Sequence, residues 1–246
     1  MAAHRLTSSG HFSRAESQRV TPTVLSHLIR DISADVRRKA FSRPDVPWMK
    51  AKELDIVIEV LARVAPARCL EWGAGGSTLY FPPRIPGLTR WLSIEHSPEW
   101  ADRVRSRNTV PQVEVVHLPP DLSHTPDDTG EGVREEYRTY ITLPEAQAER
   151  FDFILVDGRV RGHCLHAAFR LVADRGVVVL HDANRESYFA DVPPFAHTER
   201  FTDWRTGQGG IWIASKARPL DEILDVARHR SLWQGHERVT KALFLR

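Results

Sequence analysis

Residues 69–81 read CLEWGAGGSTLYF, an apolar run that meets a carboxylate, Glu71, and then places Gly73, Gly75 and Gly76 within four positions. Glycines this dense let a backbone bend sharply or come close to a ligand, because the missing Cβ lifts both the φ restriction and the steric bulk. In a dinucleotide site that ligand is a pyrophosphate, which a neighbouring carboxylate would repel. An acid at position 71 therefore points to a ligand with positive charge. Polar residues close later apolar runs as well: Glu95 and His96 in RWLSIEH, Asp157, Gly158 and Arg159 in FDFILVDGR, and His181, Asp182, Asn184 and Arg185 in VVVLHDANR. Carboxylates and an imidazole of this kind serve as general bases, and two acids also suit a magnesium-like ion. The near-neutral pKa of an ordinary histidine makes His181 a second candidate base. Arg159, Arg161 and Arg185 suit bidentate capture of a carboxylate or phosphate, with ion pairing to Asp157, Asp182 or Glu186 as the plainer alternative.

These residues need a scaffold that brings them to one place. ARCLEWG, RWLSIEH, QVEVVHL, FDFILVDG and GVVVLHD are short apolar runs, each closed by a polar or turn residue and mostly separated by helical stretches. That alternation predicts βαβ units and a parallel sheet covered on both faces. The expected fold class is α/β, a doubly wound, mostly parallel sheet of seven strands, in which FAHTERFTD and GGIWIAS form a final antiparallel pair joined by a tight turn at WRTGQ. Between strands, SPEWADRVRSR opens with Ser97, Pro98 and Glu99 as N-cap, first helical residue and early acid, and RGHCLHAAFRLVA supplies a later helix.

Ahead of the sheet, residues 21–41 repeat Val24, Leu25, Leu28, Ile29 and Ile32 at helical spacing, which predicts a helix across the core. After the break SRPDVPW, a second helix carries Leu54, Ile58, Leu61 and Val64 on one face. The segment 119–150 does not fit the alternation and reads as an insertion, a length of loop that is usually functional or disordered. The organisation expected is a flexible tail over 1–20, one domain over 21–216, and a helical extension over 217–246 built on LDEILDVARHRSLW. Tyr137, Tyr140, Tyr188 and Trp204 are aromatic candidates to cover a ligand, or else packed rings with a wet edge.

Composition narrows the partners. With 246 residues, 27% charged and 41% hydrophobic, the chain has the make-up of a soluble α/β domain, and a net charge of +2 gives no global pull toward nucleic acid or an anionic membrane. No run approaches a membrane span, and the first residues lack the apolar core of a signal peptide, so the expected compartment is cytoplasmic. Residues 1–20 are Ser- and Arg-rich, which hints at a transit peptide but reads better as a loose tail. Cys69 and Cys164 lie in apolar segments with no partner at metal-ligand spacing and are expected to be core thiols.

In the dinucleotide fingerprint the third glycine would fall at position 78, where this chain has Thr78. S-adenosylmethionine, by contrast, carries an ammonium and a sulfonium and no phosphate. Glu71-x-Gly73-x-Gly75 after the first strand, Glu95 after the second, and VDG and LHD after the fourth and fifth resemble the class I S-adenosylmethionine-dependent methyltransferases over roughly residues 50–215. The resemblance implies a Rossmann-like domain in which Glu71, Gly73 and Gly75 meet the methionine end of the cofactor. It implies that Glu95, nineteen residues after Gly76, takes the ribose hydroxyls, with Ser77, His96 and Asp157 as further cofactor contacts. Asp121 is the candidate beside the adenine.

In the catechol-type branch of that superfamily, acids after the fourth and fifth strands hold a divalent metal, and Asp157 and Asp182 resemble that pair. An Asp-Asn pair is expected there, however, and Ala183 separates Asp182 from Asn184. A metal-free site with Asp157, His181 or Asp182 as the catalytic base is the alternative to a magnesium-like ion. The function implied is methyl transfer to a hydroxyl of a small, sugar-derived or acidic molecule, with Arg159, Arg161, Arg185 and Tyr188 as its binding residues. An N-methyltransferase, a non-catalytic methyltransferase-like module and a nucleotide-dependent oxidoreductase are the rival readings. No basic stripe with interleaved aromatics suggests nucleic acid, and a homo-oligomer stays open.

Overall fold

The computed structural model describes residues 22–41, 46–123, 130–205 and 207–244, so the expected tail over 1–20 lies outside the described residues. In chain order the elements are α1 (Pro22–Phe41), α2 (Ala51–Val64), β1 (Arg68–Trp72), α3 (Gly76–Tyr80), β2 (Arg90–Glu95), α4 (Pro98–Arg107) and β3 (Val113–His117). They continue with α5 (Arg138–Ala146), β4 (Phe151–Val156), α6 (Arg161–Leu171), β5 (Val172–His181), β6 (His197–Phe201), β7 (Ile211–Ser215), α7 (Leu220–Ile223) and α8 (Val226–Phe244).

The seven strands form one sheet in the order β3-β2-β1-β4-β5-β7-β6. Strands β1 to β5 pair in parallel, and β7 runs antiparallel to both β5 and β6. The doubly wound architecture and its closing antiparallel pair are as the sequence predicts. The β6–β7 connection is longer than a tight turn, and residues 202–205 and 207–210 lie against the end of β5. Asn184 holds them there, its amide donating to Asp203 Oδ1 and to the carbonyls of Arg205 and Gln208.

Period-two alternation sorts the strand side chains to two cores, one on each face of the sheet. Leu70, Trp72, Leu92, Ile94, Ile154 and Val156 pack against α5 and α6 with Tyr140, Leu165 and Ala168. Cys69, Trp91, Phe153, Leu155, Val177 and Val179 pack on the other face with Ile56, Val57 and Val60 of α2 and Trp233 of α8. Both free cysteines are buried, one in each core.

Helix α2 buries Leu54 and Leu61 as the sequence suggested, but its buried face also takes Ile56, Val57 and Val60 and leaves Ile58 exposed. Helix α1 does not cross the core. It rests on α2 and α8 through Val24 and His27, and leaves Leu25, Ile29 and Ile32 exposed. His27 bridges those helices, with Nε2 2.6 Å from Asp55 Oδ2 and Nδ1 3.2 Å from His236 Nε2.

Within the 119–150 segment, α5 docks on α6 and buries Tyr140 and Ile141. Asp121 caps α5 from outside it, accepting the Thr139 backbone N–H at 2.7 Å and the Thr139 hydroxyl. That engagement gives Asp121 a structural role in place of the expected adenine contact. Tyr137 and Tyr140 are buried rings packed edge to face against His96 behind the strand ends, and Trp204 donates to Thr240 on α8, so none of the three lines the cleft.

Candidate active site

A cleft of about 490 Å³ opens at the carboxyl ends of β1, β2, β4 and β5. It spans the point between β1 and β4 where the strand order reverses, the place where open α/β sheets collect ligands. Its floor is the β1–α3 turn, Gly73 to Ser77, and its walls carry Glu95 and His96 after β2, Asp157 to Arg159 after β4, and His181 and Asp182 after β5.

The glycines of the turn do different work. Gly73 has φ +99°, and a Cβ there would lie 2.7 Å from the Asp157 carbonyl oxygen, so β1 and β4 come this close only with glycine at 73. Gly75 faces open space, with nothing within 4 Å of where a Cβ would stand. Its bareness keeps the cleft free and does not serve the packing of the fold.

Glu71 is not in the cleft. Its side chain is 0% exposed and points to the α2 face of the sheet, where the register sets it opposite Ser93. Both oxygens are engaged: Ser77 donates to Oε1, and Thr78 Oγ1 (2.6 Å), Trp91 Nε1 (2.9 Å) and Ser93 Oγ (2.9 Å) donate to Oε2. Burial pushes its carboxyl up to about 7, against the pull of those four donors. The expected contact with a cofactor's methionine end is thereby corrected: Glu71 ties the turn to the sheet from beneath. Thr78, which stands where a third glycine would, belongs to the same knot and also accepts the Gly75 N–H at 3.0 Å.

Glu95 ends β2 nearly buried, and its Oε1 accepts the backbone N–H groups of His96 (2.9 Å) and Ser97 (2.8 Å). Those bonds fix the carboxylate and use one oxygen, leaving Oε2 for a ligand's hydroxyls. Across the cleft, Arg159 donates from Nε to His96 Nε2 at 3.2 Å and from Nη1 to the Gly130 carbonyl at 2.5 Å. Among the described residues no carboxylate pairs with Arg159.

The other two arginines are committed elsewhere. Arg161 Nη1 lies 3.0 Å from Asp182 Oδ2 and 3.3 Å from Asp157 Oδ1. Arg185 pairs with Glu131 at 2.6 Å and receives no free carboxylate-binding fork. Tyr188 is buried with its hydroxyl on Glu131 at 2.8 Å, and it lines a separate recess behind Arg161, not the cleft. The plainer alternative, pairing with Asp157 and Asp182, describes Arg161. Arg185 pairs instead with Glu131, an acid the sequence did not suggest, both arginines line the cleft, and the expected role of Tyr188 is corrected.

His181 is sandwiched by acids: Nδ1 lies 2.9 Å from Asp157 Oδ1 and Nε2 3.4 Å from Glu53 Oε2. Burial disfavours a charged ring, but Asp157 and Glu53 outweigh it and push His181 up to about 10. Glu53 is also buried, and His181 and Arg205 more than offset that burial to hold it down at about 2. At neutral pH the imidazole already carries its proton, which removes His181 from the list of candidate bases. Asp182 sits at φ +59° and accepts the Gly209 N–H; burial would raise its carboxyl, but His181 and Arg161 keep it below the usual range.

Sequence reasoning missed several residues here. Trp48 and Trp100 stand edge to face, ring centroids 6.1 Å apart, on the mouth of the cleft, and Trp48 is 66% exposed. Glu53, Asp203 and Arg205 form the charged layer under His181. Glu53 had one legible signal, an acid three residues past Lys50, which it caps at 2.7 Å. Its partner His181 lies 128 residues away and could not be read.

This sheet order, with its cleft and glycine turn, is a Rossmann-like fold that solved methyltransferases share. Among solved structures, the chain is similar to a candidate caffeoyl-CoA O-methyltransferase from Staphylococcus aureus, at 13% identity over 78% of this chain and 96% of that one, with a TM-score of 0.52. It is also similar to an O-methyltransferase from Bacillus cereus solved with S-adenosylhomocysteine, at 17% identity, 82% and 94% coverage, and a TM-score of 0.45. An N-methyltransferase from Bradyrhizobium japonicum, likewise with S-adenosylhomocysteine, matches at 13% identity, 78% and 96% coverage, and a TM-score of 0.42. No family model and no curated protein matches the chain. Among the described residues no helix is long and apolar enough to cross a membrane.

Proposed function

We propose that the chain is an S-adenosylmethionine-dependent methyltransferase acting on a small molecule held in the cleft. The observation that carries this reading is the facing pair of Gly75 and Glu95: an open backbone at the β1 turn, and a fixed carboxylate with one unoccupied oxygen at the end of β2. A nucleoside's ribose hydroxyls suit that oxygen, and a backbone without side chains suits the cofactor's amino-acid arm. Residues Gly73, Gly75, Ser77, Glu95, His96 and Asp157 would hold the cofactor, which supplies an electrophilic methyl group when bound. The charge argument from Glu71 does not support the reading, since that acid is sealed beneath the turn.

The acceptor would lie toward β5, on the cleft side of the Asp157–Arg161–Asp182 bridge. Asp157 or Asp182 is the group placed to take a proton from a hydroxyl acceptor, and alignment would supply the rest of the rate. With His181 already protonated, no strong base faces the cleft, so the acceptor is one that loses its proton readily or needs no base at all. A small acidic hydroxyl fits the first case and an amine the second. Arg159, which has no acid partner among the described residues, is the group proposed to bind an acidic acceptor.

Thermal-shift measurements with S-adenosylmethionine, S-adenosylhomocysteine, NAD and NADP test the cofactor, because a ligand of the folded state raises the midpoint. Stabilisation by the first two alone supports the proposal, and stabilisation by NAD alone overturns it. A screen of hydroxylated, acidic and amine metabolites for release of S-adenosylhomocysteine then separates O- from N-methyl transfer.

A further inference from the structure

We propose that Arg161 is the resident cation of this site, and that its guanidinium closes the Asp157–His181–Asp182 cluster to a divalent metal. The cluster has the outward form of a metal centre: two carboxylates and an imidazole offer ligand atoms within 4.8 Å of one another. Magnesium- and calcium-like ions take oxygen ligands at roughly 2.0–2.6 Å, and transition ions accept the imidazole as well. Asp157 Oδ1, both Asp182 oxygens and both His181 nitrogens are already engaged, which leaves Asp157 Oδ2 as a single carboxylate oxygen and not a chelating set.

Arg161 Nη1 sits 3.0 Å from Asp182 Oδ2 and 3.3 Å from Asp157 Oδ1, bridging the two carboxylates a metal would have to bridge. The guanidinium is held in place by its other bonds, from Nη1 to the His181 carbonyl at 2.8 Å and from Nε to the Gly158 carbonyl at 2.9 Å. Its side chain is only 10% exposed, so it cannot swing into solvent without leaving a cavity. The remaining Asp182 oxygen accepts the Gly209 N–H, and the two ring nitrogens of His181 face Asp157 and Glu53. A second, doubly charged cation on the same oxygens would be repelled by a fixed positive charge at contact distance. Arg161 supplies in a permanent form the charge compensation that an ion would otherwise bring.

The inference concerns ion binding, so its test does not depend on methyl transfer. Free Mn²⁺ measured by electron paramagnetic resonance during titration reads binding directly, with circular dichroism confirming that each variant is folded. The wild-type protein should show no Mn²⁺ site that is lost in D157N or D182N. Arg161→Ala should gain one site, bound at least about tenfold more tightly than any in the wild type, because two carboxylates are left without their shared partner. The double variant R161A/D182N should lose that gain. If R161A does not fold, R161Q keeps the length of the side chain without its charge and should show the same gain. A wild-type Mn²⁺ site that D157N or D182N removes overturns the proposal, and so does a folded Arg161 variant with no gain.

Discussion

Thr78 Oγ1 donates to Glu71 Oε2 at 2.6 Å, and the bond joins the first turn of α3 to the end of β1 inside the protein. A carboxylate at that position is a structural clamp, since four donors from two elements, α3 and β2, converge on it inside the protein. Glu71→Ala should therefore act on stability. Leaving buried hydroxyl and indole donors unsatisfied costs about 1–3 kcal/mol for each group, so a loss on the order of 3–5 kcal/mol in urea unfolding is expected. In protein kept folded at low temperature, affinity for S-adenosylhomocysteine by calorimetry should fall far less than in a Glu95 variant.

Glu95→Gln separates binding from folding at the opposite wall. The amide oxygen can still accept from His96 and Ser97, so the midpoint of thermal unfolding should move little. The lost charge should weaken S-adenosylhomocysteine binding by about tenfold or more, given roughly 1.5–3 kcal/mol for a charged hydrogen bond. Unchanged affinity in titration calorimetry would remove Glu95 from the cofactor site.

Two glycines two residues apart should respond in opposite ways. Gly73→Ala forces a Cβ to within 2.7 Å of the Asp157 carbonyl at φ +99°, and should destabilise the fold by a few kcal/mol in denaturant melts. Gly75→Ala meets nothing within 4 Å and should fold normally. Its methyl projects into the cleft, so the cofactor's affinity should drop instead.

The buried Glu53–His181 pair sets a pH window. Glu53 has its folded pKa held down at about 2 from an ordinary 4.5, so its stabilisation is complete above 4.5 and is lost as pH falls toward 2. His181 has its folded value raised to about 10 from an ordinary 6.5, so its stabilisation is complete below 6.5 and is lost as pH rises through 10. Urea unfolding across pH 3 to 10 should show a loss on the order of 2 kcal/mol at the acid end and about 4 kcal/mol at the alkaline end. Glu53→Gln should flatten the acid limb and His181→Gln the alkaline limb.

Asp182→Asn tests the side of the cleft nearest β5 once an acceptor is known. Its carboxylate would act on the acceptor and not on the bound cofactor, so kcat should fall by about 10²-fold or more while cofactor affinity changes little. Equal turnover in D157N and D182N would show that both acids serve the Arg161 bridge alone.

The sequence by itself determined the order of the strands' apolar runs, the glycine turn and the acids that close β2, β4 and β5. These are local signals: period-two alternation, turn chemistry, and the rule that polar residues ending parallel strands reach one crevice. It also placed Gly73, Gly75, Glu95, Asp157 and Asp182 on that crevice through their positions alone. Only the tertiary structure decided which way Glu71 faces, because a strand residue's alternation names two faces and packing chooses between them. Trp91 and Ser93 on β2 made the inner face polar enough to take a carboxylate. In the same way Glu53 from α2 meets His181 across 128 residues of chain, and Asp157 and Glu53, not the residue type, settle its charge. Charge states and ion bridges depend on burial and on neighbours brought in by folding, which is why Arg161 could be read as a substrate arginine until Asp157 and Asp182 were seen on either side of it.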